Sequence, residues 1–388
     1  MKILCITSRV PWPLEKGDKL RIFHQLKQLS AHHELVLFAV NDKPLHPDAL
    51  AELKKFCSRV EVHTHSRMQV LLNLLRGGWN GQPFQVAYFT SPAAQRRLKQ
   101  VVQEERPDWI YCQLIRTAEY RKSAPDLPAV LDYMDVFSKG VERRMANVAV
   151  YKRWLFRLEW KRLLRYEAAA YHQFNRHTVI SAQDRDLLPV ADCRAVEVVP
   201  NGVDTDYFHP QDGEKSFELL FNGNMNYPPN IESAQFLVNR VLPLVRKKHP
   251  NVRLLISGAS PAPEVLSLAG EGVVVSGWVE DVRDSYRKSS ILVAPMMISI
   301  GLQNKLLEAM AMQLPCVTTS LANNALQAVP GEQLLLAETA EEFAAQICYL
   351  LEHPDKASEM AANGLQLVAS RFNWATCTAA LERMFHRA

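Results

Sequence analysis

The sequence predicts an α/β fold of two doubly wound, parallel-sheet domains facing a cleft, and three observations predict it. Short apolar, β-branched runs alternate with helical stretches along the whole chain, as they do in βαβ units whose strands are buried on both faces. The series breaks once, at a stretch rich in Pro, Asn, Asp and Gly from Val199-Pro200-Asn201-Gly202 to Gln211-Asp212-Gly213, which reads as a linker. The 388 residues correspond to roughly two to three domains at about 150 residues each.

In the first half, the opening Lys2-Ile3-Leu4-Cys5-Ile6-Thr7 reads as a strand, and further strands are expected at 34–40, 60–65, 109–114, 129–132 and 178–181. After the linker the same rhythm resumes, with strands expected at 218–221, 253–257, 273–276, 291–294, 315–318 and 334–336. The expected division is 1–197 for the N-terminal domain and 198–371 for the C-terminal one, with an amphipathic helix over 372–388 packing back on the first. In such folds ligands sit at the carboxyl ends of the strands.

Composition excludes several classes. With 48% apolar and 22% charged residues the chain is neither disordered nor fibrous. A net charge of +4 does not imply nucleic-acid binding, although residues 139–176 hold ten Lys or Arg against three Glu. Seven scattered cysteines without a CxxC pair argue against a disulfide framework and a zinc site, and suit a reducing cytoplasm. The apolar N-terminus is short for a signal peptide. The uncharged apolar stretch 291–304 is broken by Pro295 and falls short of the ~20 residues a membrane span needs.

GxGxxG, GxxxxGK[ST] and HExxH are all absent. Asp204-Thr205-Asp206 is a DxD pair, but it lies in the linker and no metal site is expected. The strongest constellation is Gly301-Leu302-Gln303-Asn304-Lys305-Leu306-Leu307-Glu308, after the strand at 291–294. Gly301 is expected to open a helix, whose free N–H groups would seat a diphosphate. Lys305 and Glu308 then share its helical face, and Glu308 can accept two hydrogen bonds from a ribose diol. The plainer alternative is an i, i+3 surface pair.

Val199-Pro200-Asn201-Gly202-Val203-Asp204, Phe221-Asn222-Gly223-Asn224-Met225, Gly277-Trp278-Val279-Glu280-Asp281-Val282 and the Gly301–Glu308 segment together resemble the family 4 glycosyltransferases of the GT-B fold, built from two Rossmann-like domains. Ser8-Arg9-Val10-Pro11-Trp12-Pro13 and Gly17-Asp18-Lys19-Leu20-Arg21 resemble that family's first glycine-bearing loop. With Leu131-Asp132-Tyr133-Met134-Asp135, the likeness is closest to sugar transferases of bacterial exosortase and exopolysaccharide loci.

The resemblance implies a nucleotide diphosphate sugar as donor, held by the C-terminal domain, and a glycan or lipid-linked acceptor held by the N-terminal one. It further implies retention at the anomeric carbon and no required metal or other cofactor. By position, Glu308 would hold the ribose, the backbone of Gly301 and Leu302 the phosphate or sugar, and Trp278 and Val279 would border the base. Gln303, Asn304, Gly223 and Asn224 fall in the same donor segments, and Gly17 would admit the diphosphate to the first loop.

Two departures stand out. Ile300 replaces the family's first donor-sugar Glu, and Asn224 stands where an Arg or Lys is usual, which assigns diphosphate neutralisation to Lys305. Asp135 and Asp132, at a strand end, are candidates for orienting or deprotonating the acceptor hydroxyl, or for helix capping. Lys19 and Arg21 are candidate acceptor or phosphate contacts, or part of a solvated helix face. The basic stretch 139–176 is either a core-packing helix or a contact for an anionic membrane surface at the inner face of the cytoplasmic membrane. The rival readings are a nucleotide-sugar epimerase on the same scaffold and a non-catalytic nucleic-acid or membrane-surface binder.

Overall fold

A computed structural model describes residues 1–146, 148–297 and 301–386. Ile300 therefore lies outside the described residues. Two compact units are present, one of Met1–Pro200 with Cys377–Ala388 and one of Asn201–Thr376.

The first unit is built on seven strands, β1 (Lys2–Thr7), β2 (Glu34–Asn41), β3 (Arg59–Thr64), β4 (Trp109–Gln113), β5 (Ala129–Asp132), β6 (Arg176–Val179) and β7 (Glu197–Val198). They pair in parallel in the order β3-β2-β1-β4-β5-β6-β7. Because side chains alternate along a strand, β1 feeds two cores at once. Leu4 and Ile6 join one apolar layer with Phe38 and Leu131, and Ile3 and Cys5 join the opposite layer. The Trp374–His386 helix adds Leu381, Met384 and Phe385 to the second of these layers.

The second unit repeats the plan with β8 (Phe217–Asn222), β9 (Leu254–Ser257), β10 (Val273–Gly277), β11 (Ser289–Ala294), β12 (Cys316–Thr318) and β13 (Leu335–Leu336). Its order is β10-β9-β8-β11-β12-β13, again parallel. In each sheet the winding reverses at one place, between β1 and β4 and between β8 and β11. Loops leaving the strands there diverge and open a crevice at the carboxyl ends.

Two sequence expectations need correction. Gly301 does not open a helix: its φ is +67° and it sits in the loop ahead of the Asn304–Ala311 helix. Of the three residues expected on one helical face, only Lys305 and Glu308 share one. The basic segment is two helices, Phe137–Ala146 and Arg153–Tyr171, and the latter turns Glu159, Leu163, Glu167 and Ala170 inward.

Candidate functional site

In the second unit the polar groups collect at the β8/β11 switch. Asn222, the last residue of β8, donates from Nδ2 to the Tyr286 hydroxyl at 2.8 Å, and that hydroxyl donates to Glu308 Oε2 at 2.6 Å. Tyr286 comes from the short Arg283–Arg287 helix and Glu308 from the Asn304–Ala311 helix. Burial raises the Glu308 carboxyl above its ordinary range, opposed by the Tyr286 hydrogen bond and by Lys305.

One turn earlier on that helix, Lys305 is buried. Its Nζ donates to Asn230 Oδ1 at 2.8 Å and stands 4.4 Å over the Phe221 ring. Burial pulls its ammonium down to about 7, with Glu308 opposing. Asn230 in turn donates to the Asn224 carbonyl at 2.9 Å, and Asn224 Oδ1 accepts from the Asn226 N–H at 3.0 Å. Asn224 thus shapes the turn that follows β8. Gln303 is the N-cap residue of the Asn304–Ala311 helix, and Leu302 is buried just before it.

Glycine is required at this turn. A Cβ on Gly223 would stand 2.7 Å from Asn230 Nδ2 and 3.1 Å from Lys305 Nζ. At the end of β9, Gly258 has φ +138°, and a Cβ there would lie 1.7 Å from the Gly223 carbonyl oxygen. Gly258→Ala must therefore push the Gly223 peptide aside, and is expected to cost at least about 2 kcal/mol in a denaturant titration.

Val279 and Asp281 line a cavity of about 610 Å³ with Tyr207 and Val274. Lys305 and Glu308 do not line it, so the hydrogen-bonded side chains, rather than this cavity, mark the candidate site. Trp278 is exposed. Asp204 of the DxD pair accepts from the N–H groups of Asp206 and Tyr207, both at 3.2 Å, and caps a turn.

In the first unit the two aspartates separate by environment. Asp132 is fully buried and accepts from Arg21 Nε at 2.7 Å, the Tyr111 hydroxyl at 3.0 Å, Thr178 Oγ1 at 2.9 Å and the Met134 N–H at 3.0 Å. Both expectations for this pair are corrected: Arg21 lies on no solvated face, and Asp132 is saturated by its structural partners. Lys19 pairs with Glu15 at 3.2 Å. Gly17 is the first residue of the Gly17–Leu29 helix, and a Cβ there would make an ordinary 3.6 Å contact with Met134 Cε.

Asp135 differs from Asp132. It follows Met134, which holds φ +62° just beyond β5, and Leu114 beyond β4 has φ +67°. Such backbone costs roughly 1–3 kcal/mol per residue and clusters at functional sites. The Asp135 Oδ1 is buried without a hydrogen-bond partner. Burial first, then the neighbouring Asp184 carboxylate, push its carboxyl up to about 7, against the pull of Arg116. Arg116 stacks its guanidinium on Phe137 at 4.8 Å and Phe89 at 5.3 Å. With Arg9, Asp42, Gln85 and Tyr88 it lines a cavity of about 380 Å³.

Tyr286, Asn230, Gly258 and Arg116 were not marked by the sequence. Each acts through a partner distant in the chain, and no local pattern announces it.

Two parallel, doubly wound sheets, one in each unit, match the fold of solved GT-B glycosyltransferase structures. The chain belongs to the glycosyltransferases: residues 21–207 match Glycosyltransferase Family 4 and residues 216–353 match Glycosyl transferases group 1. Among solved structures it is similar in fold to Anabaena Alr3699/HepE in complex with UDP, with TM-score 0.70 and 15% identity over 100% of both chains. It is likewise similar to sucrose-phosphate synthase from Thermosynechococcus elongatus, with TM-score 0.70 and 16% identity over 100% of this chain and 98% of that one. An uncharacterized 44.6 kDa protein in the cps region of Klebsiella pneumoniae is 22% identical over 96% of each chain.

Proposed function

We propose that this glycosyltransferase moves a hexose from a nucleotide diphosphate donor, held by the second unit, to a lipid-linked glycan held by the first. The product would serve an exopolysaccharide or other cell-surface polysaccharide, and the anomeric configuration would be retained. The observation that carries the donor reading is the Asn222–Tyr286–Glu308 chain of hydrogen bonds with Lys305 one turn away. Tyr286 fixes Glu308 through one carboxylate oxygen, so the carboxylate is already oriented to accept from a ribose diol. Lys305 supplies the positive charge for the diphosphate, a role that a lysine, an arginine or a metal ion can fill, and the backbone N–H groups of Gly301 and Leu302 add donors.

The HepE structure contains UDP, which supports a nucleotide-bound second unit here, and the cps-region relative supports a role in surface polysaccharide synthesis. On the acceptor side, the cavity lined by Phe89, Tyr88, Asp42, Gln85 and Arg116 combines aromatic faces with planar polar groups, which suits a sugar ring. Asp135 orients the attacking hydroxyl, and a carboxyl near 7 can share its proton in the transition state. Such an acceptor places the enzyme at the cytoplasmic face of a membrane, where the exposed cations of the Arg153–Tyr171 helix meet anionic headgroups.

A thermal-shift screen against UDP, GDP, ADP and CMP tests this reading. A ligand at a hundred times its dissociation constant stabilises by about 2.7 kcal/mol, and one nucleotide should produce that shift in the wild type but not in Glu308→Ala. Asp135→Asn should keep the shift and lose roughly a hundredfold in transfer rate. Absence of a response to any nucleotide, or a full response in Glu308→Ala, rejects the donor assignment.

A further inference from the structure

The Arg67–Trp79 helix is built inside out. A capping box starts it: Ser66 Oγ accepts from the Gln69 N–H at 3.2 Å and Gln69 Oε1 accepts from the Ser66 N–H at 2.8 Å. Its inward residues are Asn73 and Gly77. Gly77 seats the helix closely on the Phe84–Phe89 helix, since a Cβ there would fall 2.2 Å from Ala87 Cβ. The opposite face carries Met68, Leu71, Leu72, Leu75 and Trp79, at spacings that form one stripe. These side chains are between 52% (Leu71) and 93% (Trp79) exposed. A contiguous apolar stripe of this kind on a folded unit marks an interaction surface.

Charge selects the partner. The helix contains Arg67 and Arg76 and no acidic residue. It is fixed to the Arg153–Tyr171 helix, whose Arg162 donates to the Gly78 carbonyl at 2.9 Å and to the Gln82 carbonyl at 3.2 Å. From that neighbour Glu159 accepts the Phe84 N–H at 2.7 Å, so its carboxylate is spent inside the fold. What the neighbour and the turn before it leave in solvent includes the cations Lys152, Arg153, Arg157 and Lys161 and the rings of Tyr151 and Trp154, beside the apolar Val150 and Leu155, and no acidic side chain. Across a two-fold contact with a second copy, these cations and Arg67 and Arg76 would approach a like-charged rim, which is repulsive. An anionic bilayer neutralises them, buries the leucines below the headgroups and holds Trp79 at the interface.

We propose that the Arg67–Trp79 helix docks the protein in the plane of an anionic lipid surface, with the cations of the neighbouring helix as its electrostatic rim. The proposal rests on the membrane-surface part of the function proposed above and on none of its donor-site assignments. It also names an element that the charge distribution of the sequence does not mark.

Co-sedimentation of the full chain with vesicles of pure phosphatidylcholine, and of equimolar phosphatidylcholine and phosphatidylglycerol, tests it. The wild type should sediment with the anionic vesicles and be released by salt. The Leu71→Glu/Leu75→Glu double variant, altered only at exposed positions, should lose roughly tenfold or more in partitioning with an unchanged melting temperature. Wild-type protein that ignores anionic vesicles, or a double variant that binds as the wild type does, overturns the proposal. A wild-type dimer in sedimentation equilibrium that the double variant dissociates also overturns it and assigns the stripe to a second copy. Because the nucleotide thermal shift is measured on the same preparations, failure of docking is separable from failure of the donor reading.

Discussion

Asp132→Ala is expected to remove about 3–5 kcal/mol from the stability of the first unit, because breaking a buried ion pair strands the remaining charge in a low-dielectric interior. Arg21 would be that charge: it is fully buried, and besides Asp132 it meets the Val199 carbonyl at 2.8 Å. The loss extends past Arg21, since the Tyr111 hydroxyl, Thr178 Oγ1 and the Met134 N–H also donate to the same carboxylate. Three strands, β4, β5 and β6, therefore depend on one side chain. Urea unfolding should show a lower midpoint with an unchanged slope. The double replacement Arg21→Met/Asp132→Leu should recover much of the loss, since apolar residues of similar volume often match or exceed a buried pair. A cost below about 1 kcal/mol, the range of exposed pairs, would mean that Asp132 is solvated and would return it to the candidates for catalysis.

The same aspartates show how far the sequence could be read. Both stand in Asp132-Tyr133-Met134-Asp135, and nothing local distinguishes them; the partner that makes Asp132 structural is Arg21, 111 positions away. The twelve strands expected from apolar runs are all present within a few residues of their expected bounds, because parallel strands buried on both faces must be continuously apolar. The thirteenth, β7, is two residues long and edge-paired, too short for any periodicity. Gly301 reads as a helix start because glycine at a helix start and glycine at positive φ look alike in sequence. Its φ of +67° is set by the loop that delivers Lys305 and Glu308. At Arg67–Trp79 the 3.6-residue periodicity fixes a stripe but not which side faces the core. That side was decided by Gly77 against Ala87 and by Arg162 against Gly78, contacts made by other segments.

Lys305 should register donor binding as a proton uptake. Burial holds its ammonium at about 7 in the folded chain, against an unfolded value of roughly 10.4. Between those values the unfolded chain holds a proton that the folded one lacks, so this residue makes stability rise as pH climbs from about 7 toward 10. Below 7 both forms are charged and its pH dependence vanishes. Lys305→Met should therefore flatten that part of the stability profile. A diphosphate beside Nζ favours the charged amine and raises its pKa again. At pH 8 the free site is mostly neutral, so binding should draw in close to one proton, seen by calorimetry as a dependence of the heat on the buffer's ionisation enthalpy. Nucleotide affinity should then weaken by up to about tenfold per pH unit above 7. In Lys305→Met the uptake should vanish and affinity should fall roughly ten- to a hundredfold, the worth of one charge-assisted contact in a dry site. Since Lys305 also holds Asn230 and through it the turn after Gly223, Lys305→Arg is the deciding control. A guanidinium stays charged at every accessible pH, so that variant should bind without taking up a proton. If uptake persists in Lys305→Met, the proton belongs to another group, with the raised Glu308 carboxyl next in line, and the diphosphate does not sit on Lys305.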